Sequence, residues 1–366
     1  MSSLITSDAD LASACVRWSA SGLIGVDTEF VRERTYHPRP GLIQVADQGG
    51  VAMVDPIGIS NFGPLESLLS DRSVVKIMHA CDEDLEVLEL LTGVTPRNIF
   101  DTQLAAAFAG YGYSLGYSRL VNMLLAVVLD KGATRSDWLR RPLSKTQLHY
   151  AALDVLYLPP IYERLSREMG ALGRVAWFEE ELAHRRRART VDKQPEAAFM
   201  RVRRREALPP ARHAVLRALS QWREAEAMTR DMPRRHLLSD DVLIALASDP
   251  ALDASSLENV TGLSPRARAR YGPVIMTCID AARTQGPDDT DATVNLRPHA
   301  STLKRLKEIV RKAADARKLP PELLANRRAL ETLLISVKTR GGIVPQEFQG
   351  WRFDVITKTL LDALST

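Results

Sequence analysis

The spacing of apolar residues changes character along the chain. Up to about residue 175, strand-like and helix-like stretches alternate. Leu23–Glu29 is a short β-type run. Leu42–Ala46 and Val51–Asp55 flank Asp47-Gln48-Gly49-Gly50, which reads as a hairpin turn. Val74–His79 predicts another strand, followed by the acidic start of a helix over Cys81–Leu91. Leu104–Phe108, Leu120–Leu129 and Ser144–Leu158 predict helices. In the last, Ser144 and Gln147 form a capping box, and Pro159-Pro160 should break or kink the far end. The pattern predicts a mixed-sheet α/β domain over residues 1–180 that opens with a β-meander.

Beyond residue 180 the rhythm turns helical. His184–Arg189 and Arg201–Arg205 bracket a stretch with little periodicity, so 181–206 reads as a basic linker. Two helix-rich segments follow, 207–284 and 297–366, separated by a turn-forming acidic linker over 285–296. They read as weak internal repeats. Leu219, Trp222, Ala225, Pro233 and Leu237-Leu238 in the first align with Leu306, Ile309, Lys312, Pro320 and Leu323-Leu324 in the second.

Charge sharpens this division. Residues 1–180 carry 16 Lys+Arg against 22 Asp+Glu, a net of −6; the remainder carries 33 against 23, a net of +10. An acidic half suits metal ions, and a basic half suits a polyanion. Three scattered cysteines, Cys15, Cys81 and Cys278, make neither a disulfide framework nor a CxxC site. No apolar run reaches the roughly 18 residues of a membrane span, and the N-terminus lacks the layout of a secretory signal. A cytoplasmic protein with no membrane partner is expected, and nothing demands more than a monomer.

The candidate chemistry is carboxylate. Asp27 and Glu29, two residues apart on a strand, project from one face. Their mutual repulsion is relieved by a cation, which makes them a platform for a hard ion such as Mg²⁺ or Mn²⁺. Asp84 opens the helix after the strand Val74–His79, where the macrodipole alone also favours acids. Tyr150 and Asp154, at i and i+4, share a helix face opposite the apolar stripe of Leu148, Ala151, Ala152, Val155 and Leu156.

Taken together, Asp27, Glu29, Asp84 and Asp154, with Tyr150 beside the last, resemble the DEDD exonuclease superfamily in its tyrosine subclass. The flanking sequence narrows the resemblance to the ribonuclease D family. Asp27-Thr-Glu-Phe-Val-Arg-Glu-Arg-Thr-Tyr-His-Pro with Gly41-Leu-Ile-Gln resembles that family's first motif, and Lys76-Ile-Met-His-Ala its second. Ser136-Asp-Trp-Leu-Arg-Arg-Pro-Leu, running into Tyr150-Ala-Ala-Leu-Asp-Val-Leu-Tyr-Leu, resembles its third. The two helical segments are similar to HRDC domains, the second being the more diverged. His149 also lies five residues before Asp154, the spacing of the histidine subclass. In a regular helix His149 and Asp154 are about 140° apart around the axis, whereas Tyr150 is about 40° away, which favours Tyr150.

The resemblance implies a ribonuclease H-like, DnaQ-like exonuclease fold followed by all-α HRDC domains. It implies 3′→5′ exoribonuclease activity on RNA, with tRNA precursors and other structured RNAs bearing a free 3′ end as partners. It further implies two divalent ions held about 4 Å apart by Asp27, Glu29, Asp84 and Asp154, with Tyr150 orienting water or phosphate. Thr28, Phe30, Gln44 and His79 lie in the matched motifs and are candidate substrate contacts. In the tail, Ser264 and Pro265 begin a helix carrying Arg266, Arg268 and Arg270, which suit backbone phosphates. Trp222 is a candidate for base stacking or for the core. The competing readings are a DNA 3′→5′ exonuclease of the Werner type and a non-catalytic RNA-binding protein. The absence of a GxxxxGK[ST] loop excludes a helicase.

Overall fold

The computed structural model describes residues 3–129, 136–285, 297–339 and 342–365. They divide into two compact units: Met1–Val31, Pro38–His184 and Leu296–Thr366 form the first, and Arg32–His37 with Arg185–Asn295 form the second.

The first unit is built on a mixed six-stranded sheet. Its N-terminal part runs β1 (Ser3–Ile5), α1 (Asp8–Ser21), β2 (Leu23–Val31), β3 (Arg39–Asp47), β4 (Gly50–Val54), α2 (Gly63–Ser70), β5 (Val75–Met78), α3 (Asp82–Thr92), β6 (Ile99–Asp101) and α4 (Thr102–Ala109). Then come α5 (Tyr117–Leu125), α6 (Lys145–Leu156), α7 (Leu158–Ala171) and α8 (Val175–Asp192). The sheet order is β1-β4-β3-β2-β5-β6, with β2, β3 and β4 forming the antiparallel meander and β5 and β6 added in parallel. Alternation along the strands separates two faces. Ile24, Val26, Ile43, Val45, Ala52 and Val54 pack with α1, α2 and α3, while Leu42, Ala46, Met53 and Ile77 meet α4 to α7.

Two expectations shift here. The helix expected over Leu120–Leu129 ends at Leu125, where Ala126 takes a left-handed conformation (φ 57°) and the β-branched pair Val127-Val128 follows. Leu156, expected in the buried stripe of α6, is exposed, because α6 stops there and the chain turns into α7, with Pro159 and Pro160 in its first turn.

The second unit contains α9 (Ala198–Arg201), α10 (His213–Thr229), α11 (Arg234–Leu237), α12 (Asp240–Ser248) and α13 (Pro265–Gln285). The stretch read as a linker over 181–206 is largely ordered: α8 runs through the arginine run to Asp192, and Phe199 and Val202 are buried in this unit's core. Arg and Ala are strong helix formers, so a run without apolar periodicity need not be a loop. Arg32–His37, expected to belong with the α/β domain, groups with this unit instead. Asp231 accepts from the Tyr36 and His37 amides at 3.0 and 2.9 Å, and the Tyr36 hydroxyl donates to Glu224.

The chain ends with α14 (Ala300–Arg317), α15 (Pro321–Leu324), α16 (Arg327–Thr339) and α17 (Lys358–Ser365), all in the first unit. The long–short–medium–long order of α10 to α13 returns here with a shorter final helix, as the sequence repeat predicts. Of the acidic linker expected over 285–296, residues 286–296 lie outside the described residues.

Candidate active site

β2 lies inside the sheet between β3 and β5, and it delivers Asp27 and Glu29 to the face under α6. Two residues earlier, Gly25 makes room for the α6–α7 junction: a Cβ there would sit 3.0 Å from the Leu158 Cβ and 3.2 Å from the Val155 carbonyl. The close approach that only glycine permits is what brings Asp154, next to Val155, down to Asp27.

The approach to α6 is fixed with equal care. Arg141 donates to Asp55 at 2.6 Å, to the Trp138 carbonyl at 2.7 Å and to the Gly41 carbonyl at 2.7 Å. A side chain at Gly41 would clash with Trp138. The expected capping box closes the first turn, Gln147 N donating to the Ser144 hydroxyl at 3.2 Å and Ser144 N to the Gln147 side-chain Oε1 at 3.0 Å.

The result is a cluster in which Asp27, Glu29 and Asp154 each offer an oxygen, all within 4.8 Å of one another. Asp84, at the start of α3, is held alongside: its Oδ1 accepts from the Thr28 amide at 3.1 Å and the Thr28 hydroxyl at 2.6 Å. Burial, followed by the charges of Asp84, Asp154 and Glu29, pushes the Asp27 carboxyl well above the usual range. Burial and the charges of Asp154 and Asp84 lift Glu29 to about 8. Burial lifts Asp84 to about 7 against the Thr28 hydrogen bonds, and Asp154 to about 7 against the opposing effect of the neighbouring Tyr150 hydroxyl. The charges acting on Asp27 and Glu29 are all those of other acids. Hard oxygen donors this close, with no cationic side chain acting on them among the described residues, fit a divalent cation such as Mg²⁺ or Mn²⁺.

Burial, then the charges of Asp154, Glu29 and Asp27, raise the Tyr150 phenol above its usual value. His149 is exposed on α6. The remaining predicted residues scatter. Thr28 is buried and occupied with Asp84, which leaves its side chain no free face for a nucleotide. Phe30 is half-buried at a β-bulge after Glu29. His79 has both ring nitrogens engaged, Nδ1 with Thr102 at 2.9 Å and Nε2 with the Leu115 carbonyl at 3.0 Å, so it holds the loop before α5. Gln44 is 0% exposed beneath α6, beyond the reach of a nucleotide. Neither of its amide atoms has a hydrogen-bond partner among the described residues, an omission that costs about 1–3 kcal/mol in a buried group.

In the second unit, α13 begins as expected, the Ala267 amide donating to Ser264 at 3.1 Å. Arg266 and Arg270 are exposed, and Arg268 lies 3.8 Å from Glu258. Trp222 is half-buried with its ring 5.5 Å from that of Tyr271, on the edge of the core.

Sequence reasoning missed Tyr117. Its hydroxyl donates to the Leu153 carbonyl at 3.1 Å and accepts from the Tyr157 amide at 3.3 Å, inserting between the two groups that a continuous helix would pair. That insertion ends α6 just after Asp154. A tyrosine at a helix start carries no sequence signal for such a role.

Comparison with known proteins agrees along the chain. Residues 3–170 match the 3′-5′ exonuclease family, 212–279 the HRDC domain family, and 299–360 the family described as the C-terminal HRDC domain of ribonuclease D. Ribonuclease D of Pseudomonas paraeruginosa is 37% identical over 99% of this chain and 97% of that protein. Ribonuclease D of Escherichia coli is 34% identical over 99% of this chain and 98% of its own length. The crystal structure of Escherichia coli RNase D, described as an exoribonuclease involved in structured RNA processing, matches with a TM-score of 0.88 at 32% identity, covering 100% of this chain and 99% of that one.

Proposed function

The chain belongs to the ribonuclease D family and is an exoribonuclease, and from that premise we propose that Asp27, Glu29, Asp84 and Asp154 hold two divalent ions for stepwise removal of nucleoside 5′-monophosphates from RNA 3′ ends. The observation that carries this reading is the cluster of three carboxylate oxygens within 4.8 Å, with Asp84 beside it and no cationic side chain among the described residues to neutralise it. Bound Mg²⁺ or Mn²⁺ would supply a water of lowered pKa and charge neutralisation at the departing oxygen.

The chain's own groups set the geometry. Water attacks the phosphorus of the last internucleotide phosphate, and the bond to the 3′-oxygen of the penultimate nucleotide breaks. That oxygen takes up a proton, leaving a new 3′-hydroxyl on the shortened RNA and a 5′-phosphate on the released nucleoside. The Tyr150 phenol, raised above its usual value, stays protonated at neutral pH and acts as a donor that orients water or phosphate; it is a poor general base. Arg266, Arg268 and Arg270 supply phosphate contacts that are independent of sequence. The substrates are tRNA precursors and other structured RNAs with single-stranded 3′ tails, handled by a monomer; the description of the Escherichia coli relative supports that substrate class.

A time course on a 5′-labelled RNA hairpin with a single-stranded 3′ tail tests this, run with Mg²⁺, with Mn²⁺ and with EDTA. A metal-dependent ladder that shrinks from the 3′ end and stops near the stem is expected, with Asp27→Asn reducing turnover to background while RNA still shifts on a gel. Wild-type rates in Asp27→Asn, or preference for a DNA copy, would overturn the assignment.

A further inference from the structure

Gln44 stands beside Asp27 with its hydrogen-bonding groups unused. In the antiparallel register it lies directly opposite Asp27 on β2, and on its other side opposite Met53 on β4. Directly paired residues point to the same face, with Cβ atoms about 4.5–5.5 Å apart. That face is the one beneath α6 and α7. Two residues away on β3, Leu42 packs in one cluster with Ala151 and Ala46 in another with Val155, which places Gln44 between them under the helix that carries Asp154. It is fully buried, and neither Nε2 nor Oε1 hydrogen-bonds any described residue.

A primary amide has two donors and an acceptor with two lone pairs, and buried ones are nearly always satisfied. Packing alone gives no reason for it here, since Met53 fills the neighbouring position on the same face with an apolar chain of similar length. The acid nearest in the register is Asp27. We propose that Gln44 is a positioning residue for Asp27, its amide donating to the carboxylate through one buried water and fixing how that carboxylate is presented to divalent ions. The inference rests on the reading of Asp27 as a metal-holding residue, and it takes Gln44 away from the nucleotide and gives it to the carboxylate. Partners that orient liganding groups in this way change metal affinity or activity about 10–100-fold when removed.

Gln44→Met in the full chain separates this role from packing. Without metal the variant is expected to unfold at the wild-type temperature or above it, because an apolar side chain of similar volume replaces an unsatisfied polar one. The Mn²⁺ concentration giving half of the maximal thermal stabilisation should rise about 10–100-fold. On a single-stranded RNA, kcat at a fixed sub-saturating metal concentration should fall over the same range, with KM changed by less than about threefold. Gln44→Leu provides the same readings if the methionine variant does not fold. An unchanged Mn²⁺ requirement with wild-type kcat would overturn the proposal, and so would a loss of activity that merely follows a loss of metal-free stability. Asp27→Asn, run in parallel, distinguishes the two levels: an inactive Asp27→Asn beside a wild-type-like Gln44→Met removes only the role of Gln44, whereas an active Asp27→Asn overturns both.

Discussion

The two HRDC domains have the same order of helices and opposite relations to the rest of the chain. The first closes on its own core: Leu216, Leu219, Leu243, Leu246, Ile275 and Ile279 pack among themselves and with Phe199 and Val202. In the second, Leu306, Leu333, Leu334, Phe348 and Trp351 are buried in one continuous cluster with Phe108, Leu165 and Phe178 of the α/β domain. Trp351 shows how close this union is. Its ring lies 5.2 Å from Phe108 and stacks 5.4 Å from Trp177, while its amide donates to Glu180. Arg352 forms a part-buried ion pair with Glu181 at 2.5 Å, and Arg174 donates to carbonyls of both Phe108 and Arg317. One module thus lies in a compact unit with its own core, and the other has become a wall of the catalytic unit. A shared helical pattern fixes the module, and what its outer face meets fixes its part in the protein.

That difference predicts unequal consequences of similar lesions. The largest is expected from Trp351→Ala, which should destabilise the catalytic unit by about 3–5 kcal/mol, the range for a buried tryptophan, and lower the temperature at which exonuclease activity is lost. Leu219→Ala should cost the first HRDC domain about 2–5 kcal/mol while leaving turnover of a short oligonucleotide near wild type. Equal loss of activity in both variants would erase the distinction.

The units should also differ in their response to pH. In metal-free protein the folded values of Glu29, Asp84 and Asp154 stand above their unfolded ones. Their contribution is therefore fully present below the unfolded values near 4 and is lost as pH rises through about 7 to 8. Burial raises Glu224 in the second unit, but hydrogen bonds from Arg234 and Tyr36 and the charges of Arg234 and Arg201 outweigh it and hold the carboxyl low. Its contribution is present above the unfolded value and lost as pH falls through the depressed folded one. Thermal unfolding of the catalytic unit without metal should thus come at lower temperature as pH rises from about 5 to about 8.5, with Mn²⁺ restoring most at the alkaline end. A metal-free catalytic unit that gains stability over that range would contradict the carboxylate arrangement.

The smallest effect belongs to the surface. Neutralising Arg266 or Arg270 in the first HRDC domain should weaken RNA binding and reduce the slope of log K against log salt by about 0.7 for each single-strand phosphate that is no longer neutralised. Turnover at saturating RNA should stay the same, and an unchanged slope would remove these arginines from the RNA path.

Much of this was legible in the amino-acid order. The strands, the capping box, the module repeat and the five residues Asp27, Glu29, Asp84, Tyr150 and Asp154 are local features: a period, a cap, or an acid at fixed spacing within one element. Local chemistry also misled where its signal was negative. The arginine run of α8 lacks apolar periodicity, and Thr28, Gln44 and His79 read as substrate contacts because a polar residue beside a strand has the same sequence signature whether it faces a ligand or a neighbouring element.

The sequence alone determined which side chains could share a face, since strand and helix periods are properties of the backbone and act over a few residues. Only the tertiary structure decided which faces meet. Gly25 opens the space that lets Asp154 reach Asp27, Asp84 is turned toward Thr28, and Arg32–His37 are drawn to Glu224 and Asp231. Those pairings join residues far apart in the chain, and their energies come from burial and hydrogen bonds that do not exist until the elements pack.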